Sequence, residues 1–203
     1  MLILKRCRLI RVPKTGSTYC TAAIQRSCRN CWDIRDTDKH PHLAASEGPQ
    51  MPAFGFVRHP ITWLESYWRH RCTHGWHPGL QIDQRCQSSE FPAFVENVLA
   101  KMDLGFVGRE FETKLGDDYQ DCGFVGRFER LTADLVAGLA FFGEDFNLSK
   151  LLDTEPENVG DRTRFPNPIL PLELSTRIVR SESRLMRRYY ADCPILRSAL
   201  KLS

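Results

Sequence analysis

The sequence predicts an α/β fold with a mainly parallel sheet, and three observations carry that expectation. Short apolar runs of strand length alternate with longer stretches of helical period. The runs end abruptly at Pro, Gly or Arg rather than fading into polar sequence. Behind these breaks stand residues able to open a helix, among them Ser17 and Pro60. With 203 residues, 42% hydrophobic and 26% charged, the composition is that of a globular chain and excludes a disordered or collagen-like polymer. A single domain over residues 1–203 is expected for that length.

The first strand is expected over Cys7–Val12, where Pro13-Lys14-Thr15-Gly16-Ser17-Thr18 interrupts it. A helix follows from about Ser17 to Cys28, with Ala22, Ala23 and Ile24 as a narrow apolar face. Residues 29–50 carry Asp, His, Pro and Gly and read mainly as loop. Ala53–Val57 is a short buried strand ended by Arg58-His59-Pro60, and Pro60 suits the first turn of a helix running to about Arg71. Ile61, Leu64, Tyr67 and Trp68 recur there at helical spacing, which accounts for Trp63 and Trp68 as core or half-core residues. Residues 72–89 form an irregular insert rich in His, Gly, Gln and Cys that could cover an acceptor. Ser88 or Ser89 caps the next helix, whose inner face is Phe91, Phe94, Val95, Val98 and Leu99. Cys122–Phe128 is another buried strand, and a helix from about Thr132 to Phe142 ends at Gly143. After a proline-containing loop over 155–171, one last amphipathic helix spans Leu172 to about Ala191.

Charge and targeting narrow the function classes. A net charge of +3 is too mild to argue by itself for a nucleic-acid or membrane partner, and no basic stripe with interleaved aromatics is apparent. The early apolar run Leu2-Ile3-Leu4 is broken by Lys5 and Arg6, and no stretch of eighteen apolar residues exists, so neither a signal peptide nor a transmembrane segment is expected. Eight irregularly spaced cysteines are expected to be mostly reduced thiols in a cytoplasmic protein.

The segment Arg11 to Thr18 is the informative one. A strand that breaks into a Gly-containing turn and then a helix gathers backbone N–H groups at a helix N-terminus, a natural anion site. Lys14 adds a positive charge, and Thr15, Ser17 and Thr18 add hydroxyl donors. The chain holds no Gly-Lys dipeptide, so this is not a nucleoside-triphosphate loop ending in Gly-Lys-Ser/Thr. Arg58 ends the second strand and Ser66 lies two turns along the following helix, so both can hold one phosphate beside the first loop.

These segments resemble a known family. Val12-Pro13-Lys14-Thr15-Gly16-Ser17-Thr18 is similar to the 5′-phosphosulfate loop of sulfotransferases, and Phe56-Val57-Arg58-His59-Pro60 through Ser66-Tyr67 to their 3′-phosphate motif. Phe124 through Leu131 resembles the strand-end R-F-E-x-L segment of the carbohydrate-type branch, which includes heparan 2-O- and chondroitin sulfotransferases and bacterial relatives. Arg187 through Asp192 resembles that branch's C-terminal helix ending in Y-x-x-D. The matches run in order across about residues 9–195. Two departures stand out: Gly16-Ser17-Thr18 replaces a frequent Gly-Gly-Thr, and the membrane anchor of the Golgi enzymes is not expected here.

The resemblance implies a three-layer P-loop-type fold and 3′-phosphoadenosine 5′-phosphosulfate as donor, with no metal required. The acceptor would be a hydroxyl or amine of a carbohydrate or small molecule. Lys14 would stabilise charge on the bridging oxygen of the donor, the segment Thr15, Gly16, Ser17 and Thr18 would cradle the 5′-phosphate, and Arg58 with Ser66 would hold the 3′-phosphate. Arg162, with Arg164 nearby, could fold over the cofactor. An acceptor hydroxyl needs a base, and His40 is the first choice with His42 second. Glu129 is expected to hold loops in place, and His59 to position structure.

Four rival readings are weaker. A zinc site drawing on His70, Cys72, His74, His77 and Cys86, or a redox pair Cys28/Cys31, lacks the paired Cys-x-x-Cys spacing and the strand-to-helix context. A P-loop nucleotide kinase-like enzyme lacks its lysine motif. A non-catalytic nucleotide-binding module conflicts with the presence of Lys14, Arg58, Ser66 and His40.

Overall fold

Residues Ala53–Val57 are buried at all five positions, as a strand covered on both faces must be. A computed structural model describes residues 1–28, 31–33, 51–120, 122–155 and 168–196. Its strands are β1 (Leu2–Ile3), β2 (Arg8–Leu9), β3 (Trp32–Asp33), β4 (Ala53–Val57) and β5 (Cys122–Arg127), in sheet order β3-β1-β2-β4-β5. β2 with β4 and β4 with β5 pair in parallel, whereas β1 pairs antiparallel with both β2 and β3. The expected α/β class with a largely parallel sheet is therefore present. The antiparallel margin was not foreseen, since β1 and β3 are two residues each and too short to leave a periodic signal.

The helices are α1 (Ser17–Ser27), α2 (Pro60–His74), α3 (Gln81–Cys86), α4 (Phe91–Lys101), α5 (Phe106–Leu115), α6 (Leu131–Phe141), α7 (Leu148–Leu152), α8 (Leu172–Ser181) and α9 (Ser183–Tyr189). The chain forms two compact units. One comprises Met1–Arg58 and Glu110–Val159, the other His59–Arg109 and Gly160–Ser203.

In the first unit, Phe54 and Phe56 of β4 join Leu9, the α1 residues Tyr19, Cys20, Ala23 and Ile24, and Leu135, Leu139 and Leu151 in one apolar cluster. Side chains alternate along a strand, so Gly55 faces the other side of the sheet. A Cβ there would lie 2.5 Å from Leu115 Cδ2, and that absence of a side chain lets the end of α5 close on β4. Cys7, Cys20 and Cys28 are also buried in this unit. Burial raises all three thiols, Cys28 to about 11 from the ordinary 9.0.

The second unit is organised by aromatic rings and two buried carboxylates. Trp63 stacks on Tyr67 at 5.1 Å, Tyr67 stacks on Phe94 at 6.4 Å, and Trp76 approaches Phe94 at 5.7 Å. Trp63 and Trp68 are buried, as their helical spacing predicts. The 72–89 insert is more ordered than its composition suggested: α2 continues to His74 and α3 occupies Gln81–Cys86. Buried Asp83 supplies the reason. It accepts hydrogen bonds from Tyr67 Oη (2.7 Å) and His77 N (2.6 Å) and pairs with Arg71 Nε at 2.8 Å. Burial and the bond to Asp83 push the Tyr67 hydroxyl upward.

The single helix expected over 172–191 is instead α8 and α9, separated at Glu182. Glu182 is 4% exposed, and its two carboxylate oxygens accept from Val107 N and Gly108 N, each at 2.9 Å. The first amides of a helix have no acceptor within it, and a carboxylate there also meets the favourable end of the helix dipole. The break thus places an anion at the start of α5, a pairing 75 residues apart in sequence and invisible to local pattern.

Two outcomes follow from these contacts. Glu182→Gln replaces one acceptor oxygen by an amide donor facing a backbone N–H, and should lower the free energy of unfolding by about 1–3 kcal/mol in urea titrations. The buried thiols give an alkaline limit. Their contribution is complete below pH 9, where thiols are neutral in folded and unfolded chains alike. As pH rises further the unfolded thiols ionise first, so stability falls by about 1.4 kcal/mol per pH unit for each such thiol. Unfolding midpoints across that range should fall less steeply for Cys28→Ala.

Candidate anion-binding site

The site starts from what the backbone does between β2 and α1. Beyond β2 the chain stays beside β4, Ile10 N donating to Phe54 O at 2.8 Å, and then turns at residues 13–16. Thr15 is buried, and its Oγ1 donates to Val12 O at 2.9 Å, closing the turn from inside. Two residues of the turn adopt left-handed backbone: Lys14 at φ 63° and Gly16 at φ 78°.

Gly16 is required twice over. It is the residue before α1 and left-handed, a conformation costly for any residue bearing a Cβ. A Cβ there would also stand 2.4 Å from Leu131 Cδ2 and 3.3 Å from the Phe128 ring. The first intrahelical bond of α1 runs from Cys20 N to Gly16 O. The amides of Ser17, Thr18 and Tyr19 precede it, no side chain caps the end, and no acidic residue lies in the first turn. Ser17 is already helical, so a second glycine in its place would add freedom that the turn does not use.

Arg58 follows β4 directly. Its Nη1 donates to Lys14 O at 3.0 Å, and its guanidinium carbon lies 3.9 Å from the centre of the Phe128 ring. The parallel register places Val57 opposite Arg127, which sets Arg58 beside Phe128 in the next row. Phe128 and Leu131 thus form the apolar floor under the turn. Tyr19 Oη and Thr132 Oγ1 are 3.0 Å apart, tying α1 to the start of α6. Asp134 fixes that start from the other side, accepting from Arg127 N at 2.7 Å and pairing with Arg130 Nε at 3.4 Å.

The structure brings together Lys14, Thr15, Gly16, Ser17, Thr18 and Arg58. Ser66 sits half-buried on α2 of the second unit. His40, His42, Arg162 and Arg164 lie outside the described residues. Glu129 is exposed on the short 3-10 turn between β5 and α6. The sequence did not single out Phe128 or Leu131 as partners of the loop, although aligning the ends of β4 and β5 would have found Phe128. Among the described residues no group of three or more His, Cys, Asp or Glu is placed to hold a metal ion.

No protein-family model, no curated protein and no solved structure matches this chain.

What the arrangement can do is bind an anion. The N-terminal amides of α1 follow a turn that carries Lys14 in an uncommon backbone conformation, and the first turn of the helix holds no acidic residue. Left-handed backbone costs a residue with a Cβ about 1–3 kcal/mol and persists where its surroundings impose it. Lys14→Gly should therefore raise the thermal midpoint while removing the cation. Gly16→Ala should lower it by several degrees, since both φ and the Leu131 contact oppose the added methyl. Paired melting curves read both signs.

Proposed function

We propose that the chain is a sulfotransferase that uses 3′-phosphoadenosine 5′-phosphosulfate as donor. The observation that carries this reading is the lysine-first turn: Lys14 and Gly16, both left-handed, stand before an uncapped helix, with Arg58 bonded to the Lys14 carbonyl. In the family that the chain resembles, a lysine ahead of the glycine belongs to the loop that holds the 5′-phosphosulfate anhydride. A triphosphate loop carries its lysine after the glycine, at the start of the helix. The fold would then be of three-layer P-loop type.

In this reading the backbone of Thr15 to Thr18, with the hydroxyls of Ser17 and Thr18, holds the 5′-phosphate. Arg58 holds the 3′-phosphate, with Ser66 and Arg162 as the further ligands that the resemblance implies. The acceptor is a hydroxyl or amine of a carbohydrate or small molecule. The sulfur–oxygen bond to the phosphate breaks as a new one forms to the acceptor, in line. Negative charge then grows on the bridging oxygen, where Lys14 stabilises it. The acceptor proton passes to His40, or to His42 in its place. Adenosine 3′,5′-bisphosphate and the sulfated acceptor are the products.

Calorimetric titration with adenosine 3′,5′-bisphosphate, ADP and AMP tests the reading. Micromolar binding of the bisphosphate, at least tenfold tighter than ADP, is expected. Equal or tighter ADP binding would redirect the assignment to a kinase-like enzyme, and binding without transfer to any acceptor to a non-catalytic module. Lys14→Ala should lower transfer at least a hundredfold and bisphosphate affinity far less. Arg58→Ala should weaken the affinity itself, because it removes a phosphate ligand and releases the carbonyl of Lys14. Full activity in both variants would sink the assignment.

A further inference from the structure

The net charge of +3 conceals an uneven surface. α8 and α9 carry five arginines in twelve residues: Arg177, Arg180, Arg184, Arg187 and Arg188, all exposed. The opposite side of the pair is apolar and buried, with Leu174, Ile178 and Val179 of α8 and Leu185 and Met186 of α9. Taken helix by helix at 100° per residue, Arg177 and Arg180 of α8 lie about 60° apart and Arg184, Arg187 and Arg188 of α9 fall within an arc of about 100°, each set on the side away from its helix's buried residues. Glu173 and Asp192 bound the row at its two ends, and Glu182 within it faces inward on the α5 amides.

A second feature lies at the head of the same row. Ile169 is 90% exposed and Leu172 is 72% exposed, just before α8 and at its first position. Two large aliphatic side chains standing in water at the N-terminal end of an arginine-bearing helix are what a bilayer interface accommodates. Arginines meet anionic headgroups while the aliphatic groups enter the acyl boundary. A soluble polyanion would use the arginines and leave Ile169 and Leu172 in water.

We propose that the α8–α9 face docks the protein reversibly on a membrane surface rich in anionic lipid. The surface is peripheral: no helix among the described residues is long and apolar enough to cross a membrane. This inference is independent of the sulfotransferase reading, because its test reads sedimentation and not transfer.

The test is co-sedimentation of the full chain with phosphatidylcholine vesicles, with and without one-third phosphatidylserine. Binding is expected only to the mixed vesicles, and it should fall steeply with added salt. The triple variant Arg180→Glu, Arg184→Glu, Arg187→Glu should lose at least tenfold in partition. Ile169→Ser with Leu172→Ser should lose at least threefold with the arginines intact. Far-UV circular dichroism shows that each variant is folded, and these exposed positions leave the buried face untouched. Absence of binding to mixed vesicles, equal binding to neutral ones, or indifference to the arginine changes would overturn the proposal. So would arginine-dependent binding that ignores Ile169 and Leu172, which would assign the face to a soluble polyanion.

Discussion

The parallel pairing of β4 with β5 is the constraint on which the candidate site depends. It lines up the last residues of two strands 70 residues apart, Val57 with Arg127, and everything beyond that row inherits the alignment. Arg58 finds the Phe128 ring beneath its guanidinium and the Lys14 carbonyl within reach. Leu131, one turn later, closes the space over Gly16 so tightly that a methyl group has no room. A slip of one residue between these strands would exchange which side chains each presents to the two faces of the sheet. It would also carry Phe128 and Leu131 away from Arg58 and Gly16, so core packing and the floor of the loop are selected by one register.

Strain and compensation meet in the turn between β2 and α1. Gly16 meets the left-handed requirement at little cost, whereas Lys14 does not. The surrounding bonds explain why Lys14 stays there: Thr15 is locked to Val12 on one side and Arg58 holds the Lys14 carbonyl on the other. Fixing the Lys14 backbone in advance removes part of the ordering cost that binding at this turn would carry.

Much of this architecture was legible in the sequence, for identifiable reasons. β4 was readable because five apolar or glycine residues stand between Pro52 and Arg58. α2 was readable because Pro60 fixes its start and its aromatic residues repeat at helical spacing. The loop at 13–18 was readable because Gly16 marks the turn and Ser17 the helix start. What escaped was non-local. α5 was missed because Gly108 sits inside it, and the order of the insert because Asp83 earns its place only through Tyr67, Arg71 and the His77 amide. The break at Glu182 looks like an uninterrupted amphipathic helix until its carboxylate is seen bonded to a distant backbone. The arginine row escaped for another reason: net charge averages away what one helix face concentrates.

The bond from Glu182 to the start of α5 has a consequence for the order of biosynthesis. The amides of Val107 and Gly108 emerge 75 and 74 residues before the carboxylate that satisfies them. At ribosomal speeds of about 5–20 residues per second, that is an interval of about 4–15 s. During it the apolar side chains of the second unit's first segment, α2 to the start of α5, have no α8–α9 surface to lie against. The nascent chain therefore spends seconds with aromatic surface uncovered, a window in which a chaperone or a second nascent chain competes with the protein's own C-terminal helices.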